Sequence, residues 1–267
     1  MPLKSLQNYL DFLKSQALSV NYITANRQYL SGFVGSLATL GNTISPRSAK
    51  KYLCRSNHLR AHSRIRYAGY LKGFLNHFGM GFDLMIKRPR ILPGLVSAED
   101  IASLKDAIRG HRTHKASTVR DLLLIDTAIK TGMRRAELAN LKVENIDFVR
   151  SRVTVVAGKG QKDRVIPISE SLRVDLARLC EGRGDSDSVF GLNYRSLGMK
   201  IKEWADKAGV PIHTHSFRHY FATTLVEKGA NIRVVQELLG HSSLNTTQVY
   251  LSVTANHLEE AIELLGD

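Results

Sequence analysis

Lys87-Arg88-Pro89-Arg90, followed closely by Pro93-Gly94, is the stretch that most limits how this chain folds. Proline lacks the amide hydrogen that a helix interior needs, and its ring clashes with the preceding turn, so no helix runs through this segment. On either side, apolar residues recur at spacings of three and four, which is the mark of amphipathic helices. The break therefore separates two largely helical halves. We expect a first domain at 1–81, a linker at 82–96 and a second domain at 97–267, each large enough for its own core.

In the first half, Leu3, Leu6, Leu10, Leu13 and Ala17 predict one helix, and a second pattern covers about Tyr22 to Leu37. Gly41-Asn42-Thr43 breaks the chain, and Ser45-Pro46 supplies the cap and first position of a third helix. A fourth, from about His58 to Phe78, carries Arg60, Arg64, Arg66 and Lys72. Its aromatics Tyr67, Tyr70, Phe74 and Phe78 fit either base stacking or core packing, and the helical spacing favours core.

In the second half, Ser97-Ala98-Glu99-Asp100 reads as a capping box that opens a helix at 97–109. A further helix at 117–131 ends at Thr131-Gly132, and Arg134 to Leu138 begins a short one in which Glu137 shares a face with Arg134. Ile146–Phe148, Arg152–Val156 and Arg164–Ile168 predict short strands, the last two flanking the hairpin loop Gly158 to Asp163. Helices return at 169–180 and 194–208. The expected class is mainly α (α+β): an N-terminal helical bundle and a mostly helical C-terminal domain with a small three-stranded antiparallel sheet.

Charge narrows the choice of partner. The chain carries a net +14, and residues 1–96 hold 14 Lys and Arg against only Asp11 and Asp83. An almost purely cationic domain points to a polyanion, and nucleic acid is favoured. Lys50, Lys51, Arg60, Arg64, Arg66, Arg88 and Arg90 are the candidate contacts. A membrane-surface helix would need one long apolar face beneath the basic one, whereas these cations spread over several short helices. No apolar run reaches membrane-spanning length, and no signal sequence is evident at the N-terminus. Two unrelated cysteines, Cys54 and Cys180, argue against a disulfide scaffold and a cysteine zinc site. A cytoplasmic, nucleoid-associated protein is expected.

The chemistry-bearing residues gather between His213 and Tyr250. Thr214 is placed to cap a helix in which His215, Arg218 and His219 follow at helical spacing, near an N-terminus whose dipole favours an anion. Asn231 caps the next helix and Gly240 ends it, so His241 leaves at a turn. A short helix from Asn245 then carries Tyr250. A phenol with its ordinary pKa near 10 is a poor nucleophile at neutral pH and needs a base or an activated phosphate. His213 and His219 read as structural; a His213, His215 and His219 metal site is the alternative, and no metal or cofactor is expected.

Thr131-Gly132-Met133-Arg134 through Glu137-Leu138, Gly158-Lys159-Gly160, His215-Ser216-Phe217-Arg218-His219 and Leu239-Gly240-His241 through Tyr250 together resemble the tyrosine recombinases of the phage-integrase type, most of all the Xer-type site-specific recombinases. The resemblance implies that Tyr250 attacks a scissile phosphodiester to give a 3′-phosphotyrosyl enzyme and a free 5′-hydroxyl. It implies Arg134 and Arg218 on the non-bridging oxygens, Lys159 as proton donor to the leaving oxygen, His215 in proton transfer, His241 on the phosphate and Glu137 supporting Arg134. Lys162 competes with Lys159 on the same loop, and the family pattern selects Lys159.

The resemblance further implies a SAM-like core-binding first domain and double-stranded DNA as the partner. It also implies a homo-tetramer on two recombination sites, with the helix bearing Leu258, Ala261, Ile262 and Leu265 exchanged between protomers. An accessory protein is left unspecified. Two alternatives stand beside this reading: relaxation of supercoils in the manner of a type IB topoisomerase, and a non-catalytic DNA-binding or architectural factor.

Overall fold

The computed structural model describes residues 2–40, 43–86, 96–111, 114–156 and 163–240. The chain divides into two compact units, residues 1–91 and 92–267. Among the described residues no helix is long and apolar enough to cross a membrane.

The first unit contains α1 (Pro2–Ser15), α2 (Val20–Leu40), α3 (Pro46–Cys54) and α4 (Ala61–His77). α1 buries Leu6, Tyr9, Leu10 and Leu13, a set at i, i+3, i+4 and i+7. The expected stripe was one turn too long at both ends: Leu3 is 73% exposed, and Ala17 lies beyond the helix with φ +52°. Ser45 caps α3, its hydroxyl accepting from the Ser48 amide at 3.2 Å while the Ser48 hydroxyl accepts from the Ser45 amide at 3.0 Å. Pro46 at the first helical position has no amide hydrogen to leave unpaired.

α4 starts three residues later than the pattern predicted, because the chain from Arg55 to Leu59 forms successive turns instead. Tyr70 and Phe74 are buried in the core, and the ring of Tyr67 stacks on Tyr29 with centroids 4.0 Å apart. These aromatics are core. The same core takes in Phe82 and, at its edge, Ile86, both within the stretch expected to be a linker.

The second unit opens with α5 (Ala98–Gly110), capped by the Ser97 hydroxyl, which accepts from the Asp100 amide at 3.1 Å. α6 (Lys115–Thr131) and the short α7 (Arg135–Ala139) follow, then a 3₁₀ turn at Val143–Asn145. β1 (Ile146–Asp147), β2 (Arg152–Val155) and β3 (Arg164–Pro167) form an antiparallel sheet in the order β1-β2-β3. Val153 pairs with both Ile146 and Ile166, which places these three apolar side chains on the buried face. The strands stop short of Phe148, Val156 and Ile168, the ends expected from β propensity.

α8 (Glu170–Cys180), α9 (Tyr194–Ala208), α10 (Thr214–Glu227) and α11 (Ile232–Leu239) complete the described elements. α9 packs on α5 and α7, α10 on α6, and α11 on both α10 and β3. Trp204 of α9 is buried, and its indole N–H donates to Asp121 at 3.0 Å. The other oxygen of Asp121 takes two hydrogen bonds from Arg120, so this buried carboxylate is satisfied.

Gly132 fixes how α6 ends. It adopts φ +61°, and a Cβ there would lie 2.5 Å from the Phe221 ring and 3.1 Å from Leu239. A left-handed L-residue costs about 1–2 kcal/mol and overpacking about 1–3 kcal/mol. Gly132→Ala is therefore expected to destabilise the protein by about 2–5 kcal/mol in denaturant unfolding. An unshifted unfolding midpoint would show that the turn and the Phe221 ring yield freely.

Candidate active site

Arg134 leaves the Gly132 turn at the N-cap of α7, in extended backbone, with the buried Met133 anchoring the residue before it. The pairing with Glu137 is therefore a cap rather than the shared helix face expected from the spacing. One Glu137 oxygen accepts from the Arg134 amide at 2.7 Å, and the other accepts from the Arg134 guanidinium at 2.8 Å. An acidic residue in the first turn also meets the favourable end of the α7 dipole.

Glu137 has a third partner that motif reading missed. Arg164, at the start of β3, donates to both carboxylate oxygens, at 3.0 and 2.7 Å. Burial alone would raise the Glu137 pKa, but hydrogen bonds from Arg164 and from the Arg134 amide, then the Arg164 charge and the Arg134 side chain, hold it down at about 2. The carboxylate is ionised throughout the physiological range. The sequence does contain a signal for Arg164: it alternates with Ile166 and Ile168, so the strand period places it on the buried face. A cation on that face needs a carboxylate or a set of carbonyls.

α10 supplies Arg218. Its cap is His213 rather than the expected Thr214: the His213 amide donates to the Ser216 hydroxyl at 3.1 Å, and Thr214 is the first helical residue. This fits the structural reading of His213. Phe217 is fully buried and seats the first turn, and Arg218 beside it is 5% exposed. The Arg218 guanidinium donates to the Gly132 carbonyl at 2.8 Å and to the Leu239 carbonyl.

α11 gathers the arginines. The Asn231 side chain caps it, Val235 and Leu239 bury it, and Gly240 ends it at φ +62°. The last carbonyls of a helix have no partner within the helix and carry the negative end of its dipole. Here the carbonyls of Leu238, Leu239 and Gly240 accept from Arg164 at 2.7 Å, from Arg218, and from Arg134 at 3.3 Å. Three guanidiniums meet at this helix end, two of them sharing the Glu137 carboxylate, an arrangement suited to an anion. Arginine stays charged, and its planar fork can span two oxygens of a phosphate.

His215 lies exposed in the first turn of α10. Partial desolvation of its ring, then the nearby His213, Arg135, Arg218 and Arg134, disfavour the imidazolium and lower its pKa. Its ring is therefore neutral at neutral pH and able to accept a proton. His219 is lowered likewise, first by burial and then by His215, His213 and Arg218.

The structure thus brings together Arg134, Glu137 and Arg218, with His215 close enough to sense both arginines. Lys159, His241 and Tyr250, and the tail helix, lie outside the described residues. Among the described residues no group of three His, Cys, Asp or Glu is placed to hold a metal ion.

In the first unit Lys50, Lys51, Arg60 and Arg66 are exposed and Arg64 is half-buried, while Arg88 and Arg90 lie outside the described residues. Asp11 pairs with Lys14, and Asp83 approaches Lys72 at 3.6 Å. Asp11 and Asp83 are the two acidic residues of 1–91, so the cations of this unit far outnumber its carboxylates.

Known proteins resemble this chain in sequence and in fold. Residues 96–257 match the model of the phage integrase family. The chain is similar to the tyrosine recombinase XerA of Pyrococcus horikoshii, at 31% identity over 97% of this chain and 92% of that relative. It is also similar to XerA of Pyrococcus furiosus, at 33% identity with the same coverage. Its fold resembles that of XerH bound to a palindromic difH substrate in a post-cleavage complex, with a TM-score of 0.73 at 22% identity over 95% of this chain and 82% of that one. The chain belongs to the phage integrase family: it is a tyrosine recombinase, an enzyme that breaks and rejoins DNA at specific sites through a phosphotyrosyl intermediate.

The environment of His215 gives a pH prediction. Desolvation of the ring, and then the basic groups beside it, oppose its protonation, so the folded-state midpoint lies below the ordinary histidine value of about 6.5. The His215 ring resonances are expected to titrate below that value, and Arg135→Ala should move the midpoint up by removing one opposing charge. A midpoint above the ordinary value would mean that the ring faces an acidic partner instead.

Proposed function

We propose that Tyr250 is the nucleophile of a site completed by Arg134, Lys159, His215, Arg218 and His241, with Glu137 supporting Arg134. The supporting observation is the convergence of Arg134 and Arg218 on the last turn of α11, immediately before His241 and ten residues before Tyr250 in the chain. In the cleavage step the Tyr250 oxygen bonds to phosphorus, the bond from phosphorus to the 5′-oxygen breaks, and the leaving oxygen takes a proton from Lys159. The phenolic proton passes to His215, whose neutral ring is prepared to receive it. Arg134 and Arg218 hold the non-bridging oxygens and stabilise the charge that grows on them, a role best served by donors fixed in advance. The phosphotyrosyl bond retains the energy of the phosphodiester, so attack by a 5′-hydroxyl reverses the step on the same or another strand.

In this reading the first unit is a SAM-like core-binding domain that binds duplex DNA. Its surplus of cations supports that role, since neutralising phosphates releases counterions and makes binding steeply salt-dependent. The enzyme works as a tetramer on two sites in the Xer manner, with the tail helix donated between protomers, inside the cytoplasm at the nucleoid. XerA relatives that match over nearly the whole chain support the Xer assignment.

A nicked suicide duplex carrying the recombination site should trap wild-type protein as a covalent adduct. Tyr250→Phe should abolish the adduct yet keep wild-type affinity and its steep decline with salt. An adduct formed by Tyr250→Phe would move the nucleophile elsewhere. Deleting residues 256–267 should leave DNA binding by single protomers and remove assembly of two sites into one complex. Unchanged assembly and strand exchange would sink helix donation, and relaxation without exchange between sites would favour a topoisomerase-like enzyme.

A further inference from the structure

Arg164 takes part in none of the steps above, yet it is the more enclosed of the two guanidiniums on Glu137: its side chain is 7% exposed, against 26% for Arg134. A buried charge is costly unless it is fully paired, and this one is. Its two terminal nitrogens hold the two oxygens of Glu137, and its Nε donates to the Leu238 carbonyl at 2.7 Å. The alkyl stem lies against Gly240, where a Cβ would come within 3.1 Å of it. Arg164 thus ties β3, Glu137 and the end of α11 into one unit.

We propose that Arg164 is a positioning residue for phosphate chemistry: by occupying both oxygens of Glu137 and the end of α11, it orients Arg134 and keeps the Arg134 charge available to the phosphate. The inference rests on the reading of Arg134 as a phosphate ligand. Its physical basis is competition for one carboxylate. Glu137 and Arg134 alone would form a neutral pair, and a bidentate carboxylate would draw the guanidinium inward. With Arg164 in place, each Glu137 oxygen already accepts one Arg164 N–H, and one of them also accepts the Arg134 amide.

Only one short side-chain contact then remains for Arg134, at 2.8 Å. The second Arg134 nitrogen reaches the Gly240 carbonyl at 3.3 Å, a long bond that a phosphate oxygen would readily replace. The three groups together carry one positive charge, and the outer, more exposed guanidinium is the one that presents it. Arg164 also begins β3, five residues beyond Lys159 in the chain, so the same contact anchors the strand that follows the proposed proton donor.

Arg164→Lys tests this, because lysine keeps a cation beside Glu137 but has no planar fork to span both oxygens and a carbonyl. Single-turnover cleavage of the nicked suicide duplex at saturating DNA is expected to fall about ten- to hundredfold, since a displacement of about 1 Å in a reacting group has that scale of effect. DNA affinity and the unfolding midpoint should stay close to wild type. If Arg164 acts through Arg134, the two losses overlap, and Arg134→Lys/Arg164→Lys should cleave within about twofold of Arg134→Lys. Arg164→Gln, which leaves Glu137 with one partner, should lower the rate further or unfold the protein.

Cleavage by Arg164→Lys within about twofold of wild type would overturn the proposal. So would losses that multiply in the double variant, or a slow rate explained by an equal fall in stability. An absent wild-type adduct would instead overturn the underlying assignment of the site, and this proposal with it.

Discussion

The last turn of α11 is the contact on which the site depends. Its end carbonyls would be unpaired in an isolated helix, and they lie at the negative end of the helix dipole. Three arginines from three distant parts of the chain use them: Arg134 lies 106 residues from Gly240, Arg164 lies 74 from Leu238, and Arg218 lies 21 from Leu239. The helix is itself short and is held by Val235 and Leu239 in a small cluster with Phe221, Ala222 and Val226. Full burial of such a side chain is worth about 1.5–3 kcal/mol, so a few apolar contacts set the position of the carbonyls and hence of the cations.

Like charges gathered this closely repel one another, and the arrangement is stable because Glu137 and the helix carbonyls offset them. Arg164 is neutralised by Glu137, Arg218 rests mostly on carbonyl dipoles, and Arg134 shares Glu137 while staying partly exposed. Removing one partner of a buried pair costs about 3–5 kcal/mol, chiefly because the survivor is left uncompensated. A carboxylate with four donors is therefore a rigid support. Rigidity matters for phosphoryl transfer because donors fixed in advance need no reorganisation as charge develops.

Local signals in the sequence survived folding well. Ser45, Ser97 and Asn231 cap helices as their spacing requires, and Gly132 and Gly240 adopt the left-handed conformation that ends α6 and α11. Such features depend on a few neighbouring residues and one backbone conformation, so they are visible in a single chain. The motif residues Arg134, Glu137 and Arg218 were legible for another reason, their resemblance to a family pattern. Arg164 was not, because its partners are 27 and 74 residues away. Its only local signal is an arginine in phase with Ile166 and Ile168. The cap of α10 falls at His213, one position before the expected Thr214, although threonine is the better cap on propensity, and α7 begins at Arg135 because Arg134 serves as its N-cap.

The two units use positive charge in opposite ways. In the first, the cations outnumber the two acidic residues so heavily that most remain solvated, and their attraction for a polyanion is long-ranged and screened by salt. In the second, basic and acidic residues nearly balance; Arg164 and Arg218 are buried and Arg134 largely so, and all three are held by Glu137 or by helix carbonyls. Screening acts weakly on groups that solvent does not reach. Salt should consequently govern whether DNA arrives far more than how fast a docked phosphate reacts. Capture depends on the number of exposed cations. On the proposed assignment, reaction depends on the orientation of Arg134 and Arg218, both of which contact the end of a single eight-residue helix.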